Sequence, residues 1–582
     1  MSPAAHTRAV RTFAIVTALA LAVLAAGLMM EATFQDGVQW LDILRGLLMF
    51  VTTAWLAWGA MLALLGLAPW PAAHRPEYDA TSGKTVILMP ICNEDPVATF
   101  ARVAAIDRSL DIAGVNADIA ILSDTRDDLA AQREREAFAR LLATTQGHGR
   151  IFYRRRDANT GRKAGNIEEF IRRSGAAWDY AVILDADSLM EGATIRAMIA
   201  RMQADPRLGL LQTLPKILAA RSVFGRALQF SAAFHSPVFT RGLARMQGVT
   251  GPFWGHNAIV RIRAFAESCS LPALSGHPPF GGHILSHDYV EAALLARAGW
   301  TVEVDPTLEG SYEECPENVL SYAKRDRRWC QGNLQHSRLL FAPGLNGWSR
   351  FVFLQGIFAY IVSGLWAIFL AASVMATAFA PAPDYFPDPY QLFPVFPNDR
   401  TREITALFLG IIGLLLLPKV AIVVEATLTR RAKGFGGTLR AARSVLTEIA
   451  LTSVLAPVMM AYQTRAILQI LSGQDGGWPA NARGEGELSL RDTAQAAGWV
   501  SVTGLAIMAA VWWLSPDLVP WMLPVGLPMI GAPLLIALTS RPLSGALFAV
   551  PEAKTEPPVY TTYRAIHDDW THLPESRPHV AA

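Results

Sequence analysis

The segment Tyr180-Ala-Val-Ile-Leu-Asp185-Ala-Asp187-Ser188 sets two carboxylates two residues apart, directly after an apolar run. On an extended backbone that spacing turns both side chains to one face. Two such acids can hold a hard divalent ion, Mg2+ or Mn2+, and leave positions open for phosphate oxygens. The competing reading is a turn rich in helix-capping acids. A third acid favours the metal: residues 117–122 form another apolar run, and it ends in Ser123-Asp124-Thr125. A helix N-cap is again the alternative for Asp124. The run at 85–90 ends in Cys92-Asn93-Glu94-Asp95-Pro96. The carboxyl edge of such strands is where open α/β sheets bind ligands, so Asn93, Glu94 and Asp124 are expected on one rim.

Between these acids lies Asn159-Thr-Gly-Arg-Lys163-Ala-Gly165-Asn166. A Gly-containing loop that opens a helix offers backbone N–H groups and cations to an anion, and a diphosphate suits it. Arg154-Arg155-Arg156 just upstream reads as a solvated basic loop or a headgroup contact. Farther on, Ser286-His287-Asp288-Tyr-Val-Glu291 opens an amphipathic stretch. Asp288 there is a helix-capping acid or a general base that takes a proton from an attacking hydroxyl. Lys324-Arg325-Asp-Arg327-Arg328-Trp329 joins cations that can steady a departing diphosphate to a ring on which a sugar can stack. A juxtamembrane cluster for anionic lipid is the bland alternative, and Trp329 favours the sugar.

The elements that must position these residues are of two kinds. Of 582 residues 52% are hydrophobic and 17% charged, and mean hydropathy is +0.27, so part of the chain belongs in lipid. A net charge of +2 gives no reason to expect nucleic acid. Cys92, Cys269, Cys315 and Cys330 form no CxxC pair and read as reduced thiols. Apolar runs at 10–30, 41–68, 351–379, 404–428, 496–514 and 521–538 approach or exceed the ~20 residues that cross a bilayer. Residues 445–471 carry Glu448, Pro457 and Arg465, and read as interfacial or re-entrant. Arg430, Arg431, Lys433, Arg440 and Arg443 form a loop without acids, which predicts a cytosolic side. Asp384 and Asp388, and earlier Glu31 and Asp36, predict the outside. The expected organisation is two transmembrane helices in 1–71, an α/β domain at 84–341, further transmembrane helices in 350–540, and a loose cytosolic tail at 541–582. Glu448 and Arg465 are candidates for lining a path through the membrane.

Taken in order, Asp124, Asp185/Asp187, Asp288 and Arg325-x-x-Arg328-Trp329 resemble the processive family 2 glycosyltransferases of the GT-A fold. Arg325 stands where that pattern carries Gln, His287 replaces a Glu, and no FxVTxKG loop is found. A closer resemblance is to the glucosyltransferase H family of osmoregulated periplasmic glucan synthesis. It rests on residues 89–95, Gly161-Arg-Lys-Ala-Gly-Asn166, Phe253-Trp-Gly-His-Asn257, Ser286-His-Asp-Tyr-Val-Glu-Ala292 and Arg325-Asp-Arg-Arg-Trp-Cys-Gln-Gly-Asn333.

The resemblance implies a polytopic α-helical membrane protein of the inner membrane with an inserted, cytosolic, GT-A-like α/β domain. It implies UDP-glucose as donor, a divalent metal, and a linear β-1,2-glucan made processively and passed across the membrane. Asn93, Glu94, Asp124, Lys163, Asp185 and Arg328 would bind the donor, Asp187 the metal, and Asp288 would be the base. Trp254, His256, Asn257 and Trp329 would bind the acceptor. Besides the growing glucan and membrane lipid, the implied partners are a periplasmic glucan-processing protein and acyl carrier protein. A synthase of another polysaccharide, or a transporter with a nucleotide-binding domain, are the alternatives.

Overall fold

The run Thr85–Ile91 (β1) is apolar at nearly every position because the sheet around it is covered on both faces. In the computed structural model, which describes residues 3–34, 39–71, 76–380, 385, 390–394, 400–476 and 486–572, helices α1 (Pro3–Thr33) and α2 (Trp40–Leu67) precede this strand. A seven-stranded mixed sheet then joins β1 to β2 (Ala117–Ser123), β3 (Ile151–Arg155), β4 (Tyr180–Ile183), β6 (Leu208–Thr213), β8 (Ala258–Arg261) and β9 (Thr301–Asp305). Its order is β3-β2-β1-β4-β8-β6-β9, with β8 antiparallel to both neighbours. The short strands β5 (Leu189–Met190), β7 (Lys216–Ile217) and β10 (Ser311–Glu313) form a second sheet.

Ile87, Met89 and Ile91 face a core made with α3 (Pro96–Ala113), α4 (Asp128–Thr145) and α6 (Gly192–Ala204). Val86 and Leu88 face a second core made with α5 (Arg162–Ser174), α9 (Ile262–Ser268) and α10 (His287–Arg297). Register decides where the polar ends fall. Ile91 lies opposite Ser123, Leu88 opposite Ile183, and Ser123 opposite Arg155. The segments that follow β1, β2, β3 and β4 therefore emerge along one edge.

Three further helices, α7 (Val223–Phe234), α8 (Ser236–Gln247) and α11 (Val319–Gln335), lie between the sheet and a helical bundle. The bundle is α1, α2, α12 (Gly347–Ala378), α13 (Thr401–Leu428), α14 (Thr438–Leu471), α15 (Leu490–Leu514), α16 (Val519–Ile530) and α17 (Ala532–Thr539). By length and composition α1, α2 and α12 to α15 could each cross a bilayer, and a bent pair, Pro516–Ile530 and Ala532–Thr539, would make a seventh span. The chain is thus built as a multi-pass membrane protein. The last expected span is not straight. Pro524 and Pro528 lie inside its first piece and each removes a ladder hydrogen bond, and the two pieces meet at Gly531 at 60°.

Residues 445–471 belong to one continuous helix, α14, that is long enough to span yet lies against α7 and α11 along its length. Ala441 and Val445 share a cluster with Phe230 and Phe234, Leu455 and Val458 with Phe224 and Val319, and Ile467 and Ile470 with Cys330 and Leu334. Polar contacts repeat the pattern, from Gln463 Nε2 to Asp326 Oδ2 at 2.9 Å and from Arg327 Nε to Gln469 Oε1 at 3.1 Å.

The end of the chain departs from the expected loose tail. α18 (Pro551–Lys554) and α19 (Pro558–His572) fold back onto the α/β domain. Val559, Tyr563 and Trp570 are buried in the same core as Phe100 and Leu141, because α19 carries its apolar residues on one stripe. Asp36, Asp384 and Asp388 lie outside the described residues.

Candidate active site

One cavity of about 1890 Å³ runs from the carboxyl edge of the sheet to the helical bundle. Its wall holds Asn93, Glu94, Asp124, Lys163, Asp185, Asp187, Trp254, His256, Asp288, Arg328 and Trp329. Eleven of the twelve site residues predicted above therefore border one space, although nearly 240 positions separate the first from the last.

Asp124 is not a helix cap: Asp127 caps α4, accepting the Ala130 N–H at 2.7 Å. Asp124 is instead buried and held in a two-point ion pair by Arg156, whose Nη2 lies 3.0 Å from Oδ2. Arg156 also donates to Thr160 O and Arg162 O, at 3.0 and 2.8 Å, so it ties the rim to the start of α5. The expectation of a solvated basic loop at 154–156 is thereby overturned. Arg154 donates to Asn166, and Arg155 to Thr125 O at 2.8 Å. A usable signal lay in the run Ile151-Phe-Tyr153, which forms β3 and ends beside the end of β2. Glu134 also went unnoticed. It is buried in α4 and accepts from the hydroxyls of Ser123, Thr125 and Tyr153, bracing the rim from behind.

Asn93 adopts a left-handed conformation, φ 62°, and its N–H donates to Thr125 Oγ1 at 2.9 Å. Glu94 accepts from the Cys92 N–H. Both residues face the cavity at the end of β1. Asp185 and Asp187 do not continue β4 as extended backbone. They sit in a turn closed by Ser188, whose N–H donates to Asp185 O at 3.0 Å and whose Oγ accepts the Asp185 N–H at 3.0 Å. The turn, not strand alternation, brings both carboxylates to the cavity. Lys163, in the first turn of α5, ion-pairs with Asp185 and donates to Gly255 O at 2.7 Å.

Asn257 corrects the acceptor set. It is fully buried and does not border the cavity. Its Oδ1 accepts from Ser188 Oγ at 2.6 Å, and its Nδ2 donates to Ser311 Oγ at 2.8 Å. It thus locks the acidic turn to β10. Trp254 and His256 do border the cavity, and His256 stands 3.6 Å from Glu313 of β10. Glu313 was not foreseen from the sequence, since only the second sheet carries it to the wall.

Asp288 occupies the first turn of α10, where Ser286 is the N-cap residue and contributes no side-chain cap. Its carboxyl faces the cavity, and burial holds it above the usual carboxylate range, against the charge of His287. On α11, Arg328 is buried and Trp329 is 40% exposed, both on the wall. The Arg325 guanidinium lies 4.4 Å above the Trp329 ring. Beyond them the wall continues through Asn333 and, on α12, Gln355 and Tyr360. Glu448 and Arg465 do not border this cavity. Glu448 is buried against Lys419, and Arg465 stacks 4.6 Å over Trp499.

Residues 86–268 match the model of glycosyl transferase family 2, and residues 180–416 that of glycosyl transferase family group 2. With the sheet and the acids on its rim, these matches define a membrane-embedded glycosyltransferase of the GT-A type. A glucans biosynthesis glucosyltransferase H of Cereibacter sphaeroides is 56% identical over 575 residues, 98% of this chain and 96% of the relative. A protein of the same name from Rhodopseudomonas palustris is 42% identical, covering 94% of this chain and 79% of the relative. The chain belongs to the glucans biosynthesis glucosyltransferase H family, and it is a glucosyltransferase of glucan synthesis. Among solved structures, a mannosyltransferase of Pyrobaculum calidifontis, described in complex with GDP-Man and Mn2+, overlays with a TM-score of 0.45 at 14% identity, over 75% of this chain and all of that one.

Proposed function

We propose that the enzyme transfers glucose from UDP-glucose, with inversion, to the end of a growing linear β-1,2-glucan and passes that chain across the inner membrane. The observation that carries the reading is the continuity of the cavity, from Asp124 and Asp185 at the sheet edge, past Asp288 and Trp329, to Gln355 and Tyr360 of the bundle. An enzyme that only capped a soluble acceptor would have no use for that extension. The names of the relatives favour a glucan as product.

Asn93, Glu94 and Asp124 would receive the nucleotide at the rim, and Lys163 and Arg328 the diphosphate. Carboxylate oxygens are the donors that Mg2+ or Mn2+ prefers, and among the described residues no group of three or more His, Cys, Asp or Glu could hold an ion alone. Asp187, with Asp185 alongside in the same turn, would hold the ion. A bound ion there supplies neutralisation of the diphosphate charge. Asp288 draws the proton from the acceptor hydroxyl, which attacks C1 from the side opposite UDP. Trp329 and Trp254 offer faces for the acceptor, with His256 beside them.

A contact of the basic loop supports an orientation. Arg431, in the basic loop, donates to Phe234 O of α7 at 2.9 Å, so this loop lies on the side of the α/β domain. Basic loops stay in the cytosol, which supports a cytosolic domain. The packing of α14 along α7 and α11 supports an interfacial rather than a crossing helix.

The test is direct. Purified protein with Mg2+ and radiolabelled UDP-glucose is expected to make water-soluble polymer that methylation analysis reads as 1,2-linked, and Asp288→Asn to make none. A single sugar extracted with lipid, or polymer from another donor only, would overturn the reading.

A further inference from the structure

On α10, His287 Nδ1 lies 3.0 Å from Glu291 Oε2, one helical turn on. Glu291 is 3% exposed, and among the described residues His287 is its only ion-pair partner. An ionised carboxylate so enclosed requires a counter-charge, and the imidazole is the group that supplies it. The other face of His287 borders the cavity beside Asp288, and among the described residues Nε2 has no hydrogen-bond partner. The remaining charged groups that bear on the ring are Asp288 from its own helix and Lys163 from α5. Just past the end of α11, His336 donates to Ser286 O at 2.9 Å and is held neutral by burial, its pKa down to about 4.

We infer that His287, clamped by Glu291, is a positioning residue that stands as an imidazolium beside Asp288 and keeps that carboxylate ionised in the wall of the cleft. The inference rests on the reading of Asp288 as the base. Burial alone disfavours the ionised form that a base requires, and an adjacent cation opposes it. Glu291 and Asp288 together outweigh burial and Lys163 at the ring, so His287 is held above its ordinary value. The proton taken from the acceptor hydroxyl ends on Asp288; His287 keeps its own throughout.

The experiment is the pH dependence of kcat/KM for the full-length protein, in wild type, His287→Gln, Glu291→Gln and Asp288→Asn. Removing the cation is expected to move the acid limb of His287→Gln upward by about one pH unit or more. Glu291→Gln is expected to move it in the same direction by less, with UDP affinity unchanged in both. A rate lowered by one factor at every pH, with the limb unmoved, would mean a merely structural wedge and would overturn the inference. Labelled-histidine NMR reads the same point independently. The His287 ring is expected to be protonated at pH 7 and to lose that state in Glu291→Gln; a neutral ring in wild type overturns the inference whatever the rates. An active Asp288→Asn enzyme instead defeats the base assignment beneath it.

Discussion

Lys163 spans the mouth of the cleft, ion-paired with Asp185 after β4 and donating to Gly255 O at 2.7 Å. One ammonium thereby fixes the acidic turn against the loop that carries Trp254 and His256. Charge-assisted bonds of this kind contribute about 1.5–3 kcal/mol each. Lys163→Met is therefore expected to lower kcat/KM for the sugar nucleotide by roughly 10- to 150-fold. Steady-state kinetics with calorimetry of UDP binding would check this, and unchanged UDP affinity would count against a diphosphate role.

As the proposed base, Asp288 would work only when ionised, and burial raises its pKa. Activity is thus present above that pKa and is lost as pH falls through it. The acid limb of kcat/KM is expected above the ~4 of an ordinary carboxylate. Asp288→Glu is expected to keep a limb at reduced rate, whereas Asp288→Asn leaves no limb to measure.

The pair of Asp124 and Arg156 is enclosed, with side chains only 5% and 6% exposed. Arg156→Ala leaves a buried carboxylate without its partner, a loss of about 3–5 kcal/mol. Thermal melting in detergent is expected to fall sharply for Arg156→Ala and less for the double change Asp124→Asn with Arg156→Met. Equal losses would show that the pair is not what holds the rim.

Trp570 of α19 is 4% exposed, and the Arg140 guanidinium lies 5.0 Å over its ring. Trp570→Ala is expected to cost about 3 kcal/mol by opening a void in the core. Limited proteolysis should then cut the end of the chain first. Resistance equal to wild type would mean that α19 adds little to the fold.

Asn257 separates two accounts of one residue. If it only locks Ser188 to Ser311, Asn257→Ala should melt early by about 1–3 kcal/mol while the folded fraction keeps its acceptor affinity. A selective rise in acceptor KM with normal melting would restore it to the binding set.

Much of this enzyme could be read from local pattern. Apolar runs of membrane length, buried-strand runs ending in acids, and a cationic helix start each follow from hydrophobic burial and backbone geometry within one segment. Asp124, Lys163, Asp185, Asp187, Asp288, Arg328 and Trp329 were legible as candidates from their immediate neighbours, and all of them border the one cavity. Partnership was not legible. Arg156 looked solvated until β3 fell into register with β2 and set it against Asp124. Asn257 looked like a wall residue until β8 ran antiparallel to β4 and turned it inward to Ser188. A polar carboxyl-terminal segment looked loose until α3 and α4 offered its apolar stripe a core. The sequence by itself determined which residues could do chemistry and which segments could cross lipid, since both are properties of short stretches of chain. Tertiary structure alone decided which charges neutralise one another and which groups face the cavity, because those depend on strand order and register between residues far apart in the chain.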